Sequence, residues 1–447
     1  MVIRLVGVVV TVRAIGPAGY GIYSAALAFV SVAAIVAQLG VEVYIIRQPG
    51  EIGEPLYART YTLLYVSSVV VTAVCLAGTF VFAQWLRPKG VVMPLRVLLL
   101  CVPTNVLWAP GQAHIERRFG YREMGWLEIG GDLALYGTAV PLALLGFGAW
   151  ALVAGYFVWQ VFLLVGSLAL SGLRPGWEWS GSTMVDLVRH GMPFSAAQWL
   201  QRLSGVVNAM VVGTFAGAVG VGIVSFAMRL VDTIGFAARG AYRLGMVALS
   251  KVSDSETGRL RYALEEGMLL QMLALGVPFA AFGVAAPWLV PAVFGHEWAS
   301  AVPTYSVMAL TITLNAPSLV LGVYLLSRGR NLEVCASVGL GVLLLAGAAV
   351  PLVAWLGPVG FAWAGLIALA DTFYLHHVVR KRVVVRYRMV VIFGLILAAP
   401  ICFPLLPMPE ALLVLGVLPL LVVVPSLRRE TLRLVGQVKD SLVPEAA

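Results

Sequence analysis

The sequence predicts an all-α integral membrane protein of about 14 transmembrane helices, built as two parallel-repeat six-helix lobes plus two C-terminal helices. Three observations predict it. First, 60% of the 447 residues are hydrophobic and 11% are charged, whereas a soluble domain carries roughly 25% charged and at most about 50% apolar residues. Lipid must serve as part of the solvent. Second, apolar runs long enough to span a bilayer recur along the whole chain. Third, the basic residues fall almost entirely on alternate connections.

The first apolar run, 2–14, is short: about 12 residues precede Ile15–Gly16–Pro17, and a span needs about 20. Helix 1 is therefore expected to be truncated. The opening MVIRLVGVVVTVRAIGP also lacks the cleavage pattern of a signal peptide. Helices are expected next at 20–43, 60–84, 91–112, 124–145 and 149–171. A polar stretch, LRPGWEWSGSTMVDLVRHG, separates these from helices at 192–214, 218–243, 264–290, 303–326, 332–355, 359–379, 387–407 and 410–425. The basic amphipathic tail SLRRETLRLVGQVKD closes the chain.

The net charge of +9 reports topology. Taken alternately, one set of connections and the tail hold 22 Lys and Arg, from Arg47 to Lys439. The other set holds Arg13, Arg87 and Lys89, and five arginines remain inside spans. A missed or invented span would scramble this split, which places both termini in the cytoplasm. Basic patches with interleaved aromatics are absent, so nucleic acid is not an expected partner.

Residues 16–31, GPAGYGIYSAALAFVS, repeat as 217–232, GAVGVGIVSFAMRLVD. Gly16, Gly19, Gly21, Ile22, Ser24, Ala26 and Val30 match Gly217, Gly220, Gly222, Ile223, Ser225, Ala227 and Val231. The copies lie six helices apart, so the halves share one orientation about a pseudo-twofold axis along the membrane normal. The domains expected are an N-lobe at 1–175, a C-lobe at 176–383, and helices 13–14 with the tail at 384–447.

The motifs of soluble catalysis are missing. No P-loop, H-E-x-x-H or G-x-S-x-G occurs, which argues against an enzyme. His114 and Glu116 read as residues of a short cytoplasmic loop, and Cys75, Cys101, Cys335 and Cys402 as apolar side chains in helices. No cofactor and no metal are expected.

Charges at membrane depth are costly and mark function. Arg229 falls near the middle of its helix, and Asp232 follows one turn on and can pair with it. Arg239 and Arg243 continue the same helical strip, Arg243 as an arginine reaching to the cytoplasmic surface. Arg202 sits at similar depth in the preceding helix, with Asn208 and Gln198 as hydrogen-bonding groups. Guanidinium groups bind phosphate bidentately and stay charged when desolvated. The strip thus suits an anionic headgroup, although an internal Arg229–Asp232 pair that stabilises the lobe fits the same spacing. Arg47 and Glu42 suit an inner mouth or simple interfacial anchoring. Glu128 and Asp132, spaced i, i+4, are candidates for proton coupling.

The run IGPAGYGIYSAALAFVSVAAIVAQLGVEVYIIRQ resembles the opening of Wzx-type polysaccharide flippases, in the multidrug/oligosaccharidyl-lipid/polysaccharide exporter superfamily. IERRFGYREMGWLEI resembles their basic loop between helices 4 and 5. GMPFSAAQWLQRLSGVVNAMVVGTFAGAVGVGIVSFAMRLVD resembles helices 7 and 8, and LVPAVFGHEWASAVP resembles the turn before helix 10. The likeness covers most of 13–380. It implies translocation of undecaprenyl-diphosphate-linked oligosaccharide across the bacterial inner membrane, by alternating access without ATP hydrolysis. It also implies a cationic central cavity, onto which Arg202, Arg229 and Arg239 map. Polysaccharide polymerase and glycosyltransferases are the protein partners it suggests. The truncated helix 1 departs from the family, as do helices 13 and 14, because many members stop at twelve. Three other readings compete. A drug or cation antiporter of the same fold would prefer an acidic lumen. A membrane glycan polymerase or ligase would need a long polar outer loop. A structural scaffold would leave the buried arginines unexplained.

Overall fold

The structure is a computed structural model that describes residues 2–48, 50, 52–235 and 257–406. Among the described residues every regular element is a helix. Hydrocarbon offers no hydrogen bonds, so backbone groups must pair within their own helix. Span hydroxyls follow the same logic. Thr11 donates to the Gly7 carbonyl at 2.6 Å, Thr60 to Leu56 at 2.8 Å and Thr313 to Ala309 at 2.8 Å.

Helix α1 runs Val2–Gln38 and breaks at Gly16, whose φ of 69° and ψ of 172° are not helical. The two limbs correspond to the expected helices 1 and 2. The first runs alongside α7 (Tyr121–Leu144) in the same direction, with Arg4 beside Asp132 and Gly7 against the Tyr136 ring. The second returns to a short α2 (Val41–Arg47) through Leu39 and Gly40, both at positive φ. Helix α3 (Glu54–Val81) follows. The expected helix 91–112 is three pieces: α4 (Val92–Leu99), α5 (Val102–Leu107) and α6 (Ala109–Arg117), with a 40° bend between α4 and α5–α6. Pro103 and Pro110 each open a piece, because a proline offers no N–H to the preceding turn.

Helices α7 and α8 (Ala149–Ser171) form a tight hairpin. Gly155 makes it possible, since a Cβ there would sit 2.8 Å from the Leu135 carbonyl oxygen and 2.9 Å from the Ala139 Cβ. Part of the expected polar stretch is helical: α9 (Gly181–Val207) begins eleven residues earlier than the expected start at 192. The extended segment before it is fastened to α3 by Arg59–Glu178 at 2.6 Å and by Glu178 N–H to Thr62 Oγ1 at 2.9 Å. After α9 come a π-helical turn, Asn208–Val212, and a short α10 (Gly213–Phe215). Then come α11 (Gly217–Ile234), α12 (Thr257–Phe294), α13 (Ala301–Ser327), α14 (Asn331–Leu356), α15 (Pro358–Ala368), α16 (Asp371–Arg380) and α17 (Arg388–Ile401).

Among the described residues, eight helices are long and apolar enough to cross a membrane, or nine with the bent α4–α6 counted as one. The expected helix at 410–425 and the basic tail lie outside the described residues. The described chain divides into two compact units. Unit 1 holds Met1–Ser225, Val293–Trp298 and Val338–Ala364; unit 2 holds Phe226–Ala292, Ala299–Ser337 and Gly365–Ala447. Proximity thus groups α9 and the first half of α11 with the helices of the first repeat.

In unit 1, Ile115, Leu127 and Leu163 form a buried cluster capped by Trp108, Met124 and Trp159. In unit 2, Phe279 and Phe282 pack edge-on around Tyr305, whose hydroxyl donates to the Phe279 carbonyl at 3.2 Å.

Candidate functional site

The expected site residues divide between the units. In unit 1, Arg202 lies on α9 and is exposed. Tyr156 on α8 carries a hydroxyl within the same unit. That hydroxyl accepts from Asn105 Nδ2 at 3.3 Å and from Gln160 Nε2 at 2.6 Å. Gln160 is fully buried, and its Oε1 has no partner among the described residues. This polar network beside the bend of α4–α6 was not anticipated, although discontinuous spans are where transporter sites gather.

Asn208 opens the π-helical turn and is buried. Its Nδ2 donates to Ser225 Oγ on α11 at 3.1 Å, and its Oδ1 has no partner among the described residues. A π-turn widens the helix and recurs at functional positions. Gln198 also lies on α9.

In unit 2, Arg229 and Asp232 are exposed one turn apart on α11, and Thr233 Oγ1 donates to the Arg229 carbonyl at 2.7 Å. Arg229 lies twelve residues past Gly217, about 18 Å down the helix at 1.5 Å per residue. That is near mid-bilayer. Turning such a charge to lipid costs about 2.5–3.5 kcal/mol by insertion scales, so an exposed guanidinium at this depth belongs against a polar surface. Arg239 and Arg243 lie outside the described residues.

The acidic candidates have different surroundings. Asp132 takes three hydrogen bonds from Arg4, Nε to both oxygens at 3.1 and 3.0 Å and Nη2 to Oδ1 at 2.9 Å. Glu128 is exposed one turn earlier on α7. Arg47 is the last residue of α2.

The inner end of unit 1 is organised by a residue the sequence did not single out. Arg117, at the end of α6, donates to the carbonyls of Ile45 at 2.8 Å and Gln48 at 2.7 Å, and also to Gly50. It thereby caps the C-terminal end of α2. Glu42 is in the first turn of the same helix. Burial, and second the nearby Glu116 carboxylate, push its carboxyl up to about 7. His114 and Glu116 are on α6, not in a loop as the sequence suggested. His114 Nδ1 meets the Tyr57 hydroxyl at 2.9 Å, and Gln112 donates to Glu116 at 2.8 Å. The prolines at 103 and 110 start fresh helices, which carries the helical path to Arg117.

Two span arginines escaped attention. Arg4 is the partner of Asp132. Arg96 donates to Thr79 Oγ1 at 3.0 Å and lies 3.8 Å from the Phe80 ring centroid, a cation–π contact that keeps a guanidinium at the interface.

Comparison with known proteins follows the same direction. Residues 10–303 match the family described as "Polysaccharide biosynthesis protein". The chain is 23% identical over 337 residues to the succinoglycan biosynthesis transport protein ExoT of Rhizobium meliloti (strain 1021). That match covers 74% of this chain and 66% of the relative. The fold is similar to the lipid II flippase MurJ in an inward closed conformation, with a TM-score of 0.74 at 12% identity, over 96% of this chain and 98% of that one. It is also similar to an inward-facing multidrug resistance MATE family transporter of the MOP superfamily, with a TM-score of 0.66 at 14% identity, over 88% and 94% of the two chains.

Proposed function

The chain belongs to the polysaccharide biosynthesis protein family, and on that premise we propose that it moves an undecaprenyl-diphosphate-linked oligosaccharide from the inner to the outer leaflet of the bacterial cytoplasmic membrane. The coarser statement, a multi-pass transporter of the flippase fold, follows from the family and the fold. The lipid-linked glycan is the further step. The observation that carries it is exposed cationic side chains on apolar helix: Arg202 at the start of the apolar stretch Arg202–Phe215 and Arg229 within the span α11. A diphosphate is the ligand that rewards guanidinium groups there, through paired charge-assisted hydrogen bonds. Arg239 of the same strip is assigned with them, as are Asp232, which sets the position of Arg229, and Asn208, which offers a hydrogen bond to sugar. Arg47 is assigned to the inner mouth.

The proposed cycle is alternating access of two lobes, 1–175 and 176–383, without ATP. Glu128 and Asp132 remain the coupling candidates, with Asp132 hydrogen-bonded to Arg4. Polymerase and glycosyltransferases are the proposed neighbours in the membrane.

Surface polysaccharide tests the reading. A charge-assisted hydrogen bond contributes about 1.5–3 kcal/mol, so Arg229→Ala should cut headgroup affinity by roughly ten- to a hundred-fold. Polysaccharide output should fall while membrane protein level holds. Arg229→Lys, which keeps charge but loses the fork, should be intermediate. Normal output from Arg229→Ala would sink the assignment.

A further inference from the structure

The polar connection between the two repeats is fastened to one face of α3. Arg59 on α3 pairs with Glu178 at 2.6 Å and donates to Thr183 Oγ1, in the first turn of α9, at 3.2 Å. Thr62 Oγ1 accepts from the Glu178 N–H at 2.9 Å and donates to the Gly176 carbonyl at 3.4 Å. Gly176 rests on α3, since a Cβ there would come within 2.8 Å of the Ala58 Cβ. The rings of Tyr65 and Trp177 meet edge-on, with 6.0 Å between centroids. Polar groups thus hold this strap in place, yet two of its largest side chains stay outside: Trp177 is 68% exposed and Trp179 65%. All of these residues belong to unit 1.

Between α3 and the first third of α9 the strap leaves a groove of about 510 Å³, within the roughly 300–1,000 Å³ of small-molecule sites. Leu63, Met184, Val185, Val188, Trp179 and Arg189 line it. Its open wall is apolar, so Arg189 contributes its methylene stem and carries its charge at the rim. Arg189 is exposed and has no partner among the described residues, and the same holds for Arg174 in the strap. Leu63 is one turn past Arg59 on α3, about 6 Å further from the helix's basic end. The groove therefore begins where the interfacial ion pair stops and hydrocarbon starts, a boundary that tryptophans favour. The charge balance suits an anion. Glu178 is taken up by Arg59, which leaves Arg174 and Arg189 against Asp186. The division of basic residues assigns this end to the cytoplasmic side. The leaflet there carries anionic lipids, and basic pockets between spans on that side hold anionic headgroups.

We propose that this groove is a binding site for an anionic phospholipid of the cytoplasmic leaflet, with one acyl chain along Leu63, Met184, Val185 and Val188 and the phosphate on Arg189. The guanidinium offers the phosphate paired charge-assisted hydrogen bonds, and Arg174 adds charge from the strap. A flat lipid-facing surface would take any chain. The concave apolar wall seats one chain, and the two arginines choose its headgroup. The bound lipid fills the space that the strap leaves open and so joins the connection between the repeats to α3. The inference goes beyond the transport reading and does not depend on the cargo.

The test uses the purified full chain in detergent micelles and a phosphatidylglycerol that carries a photoreactive diazirine on one acyl chain. Irradiation and peptide mass spectrometry should place adducts within 181–189 and around Leu63. A phosphatidylcholine with the same chain should label this stretch about five-fold less. Arg189→Gln should lower phosphatidylglycerol labelling by a similar factor, and Arg189→Lys, which keeps the charge, should restore most of it. Val188→Trp, which fills the groove, should lower labelling with Arg189 intact. Val165→Trp, at a 60% exposed position on α8, should leave it unchanged. Melting temperatures identify variants that are folded. If the tryptophan variant is not, displacement of the probe from the unaltered chain by unlabelled phosphatidylglycerol, but not by phosphatidylcholine, carries the same test. Equal labelling by the two lipids would overturn the site, as would parent-level labelling of Arg189→Gln. So would stronger displacement by undecaprenyl phosphate than by phosphatidylglycerol, which would make the groove a dock for the polyprenyl carrier. Polysaccharide output plays no part in the readout, so failure of the flippase reading leaves the lipid site standing.

Discussion

At the scale of single residues, neighbours decide what a charge can do. Asp132 accepts three hydrogen bonds from the Arg4 guanidinium, which ties α7 to the first limb of α1. Glu42 is a different case, half-buried on α2 with the Glu116 carboxylate nearby and its carboxyl raised to about 7. Its folded value lies above the ordinary 4.5, so the folded chain binds the proton more tightly than the unfolded chain does. That proton stabilises below about pH 4.5, and the advantage is lost as pH rises through 7. The detergent-solubilised protein should therefore melt at a lower temperature at pH 8 than at pH 6. Glu42→Gln should flatten that difference and raise the melting temperature at pH 8. An unchanged pH profile would show that Glu42 is not the group responsible. Sequence made these charges visible without revealing their partners. Arg4 and Asp132 are 128 positions apart, and no local pattern joins them. Arg229 and Asp232, by contrast, could be placed together from helical spacing alone.

At the scale of elements, hydrophobic length located most helices and missed their interruptions. The run 91–112 reads as one apolar span, and Pro103 and Pro110 were the overlooked signal, since each removes a donor from the ladder and starts a new piece. The start of α9 was hidden for another reason. Gly181–His190 is polar and amphipathic, so a search for apolar length stops short of it. Close packing of helices is legible only in part, because a glycine in a span says that something approaches without saying what. Gly155 and Gly137 separate the two cases within one hairpin. A Cβ at Gly155 meets the Leu135 carbonyl at 2.8 Å, whereas one at Gly137 meets nothing within 4 Å. Gly155→Leu should force α7 and α8 apart at a cost of about 1–3 kcal/mol or more, the usual range for overpacking. Gly137→Leu should be close to neutral. Unfolding in graded denaturing detergent measures both, and equal midpoints would contradict the packing assigned to α8.

At the scale of the whole molecule, orientation and repeat are two consequences of one pattern. Helices six apart can be equivalent only if they run the same way, and the 22-to-3 division of basic residues independently requires the same parity of spans. Which side is outer decides where a headgroup would leave. A single helix can decide it. Tyr121 begins α7 beside the basic turn Arg117–Arg118, and Phe147 lies in the short turn after α7; both are exposed, at 71% and 55%. In a chain freed of its own cysteines, an impermeant maleimide applied to intact spheroplasts should label Phe147→Cys at once. Tyr121→Cys should react only after the membrane is opened. The reverse order would turn the molecule over and overturn the placement of both termini in the cytoplasm.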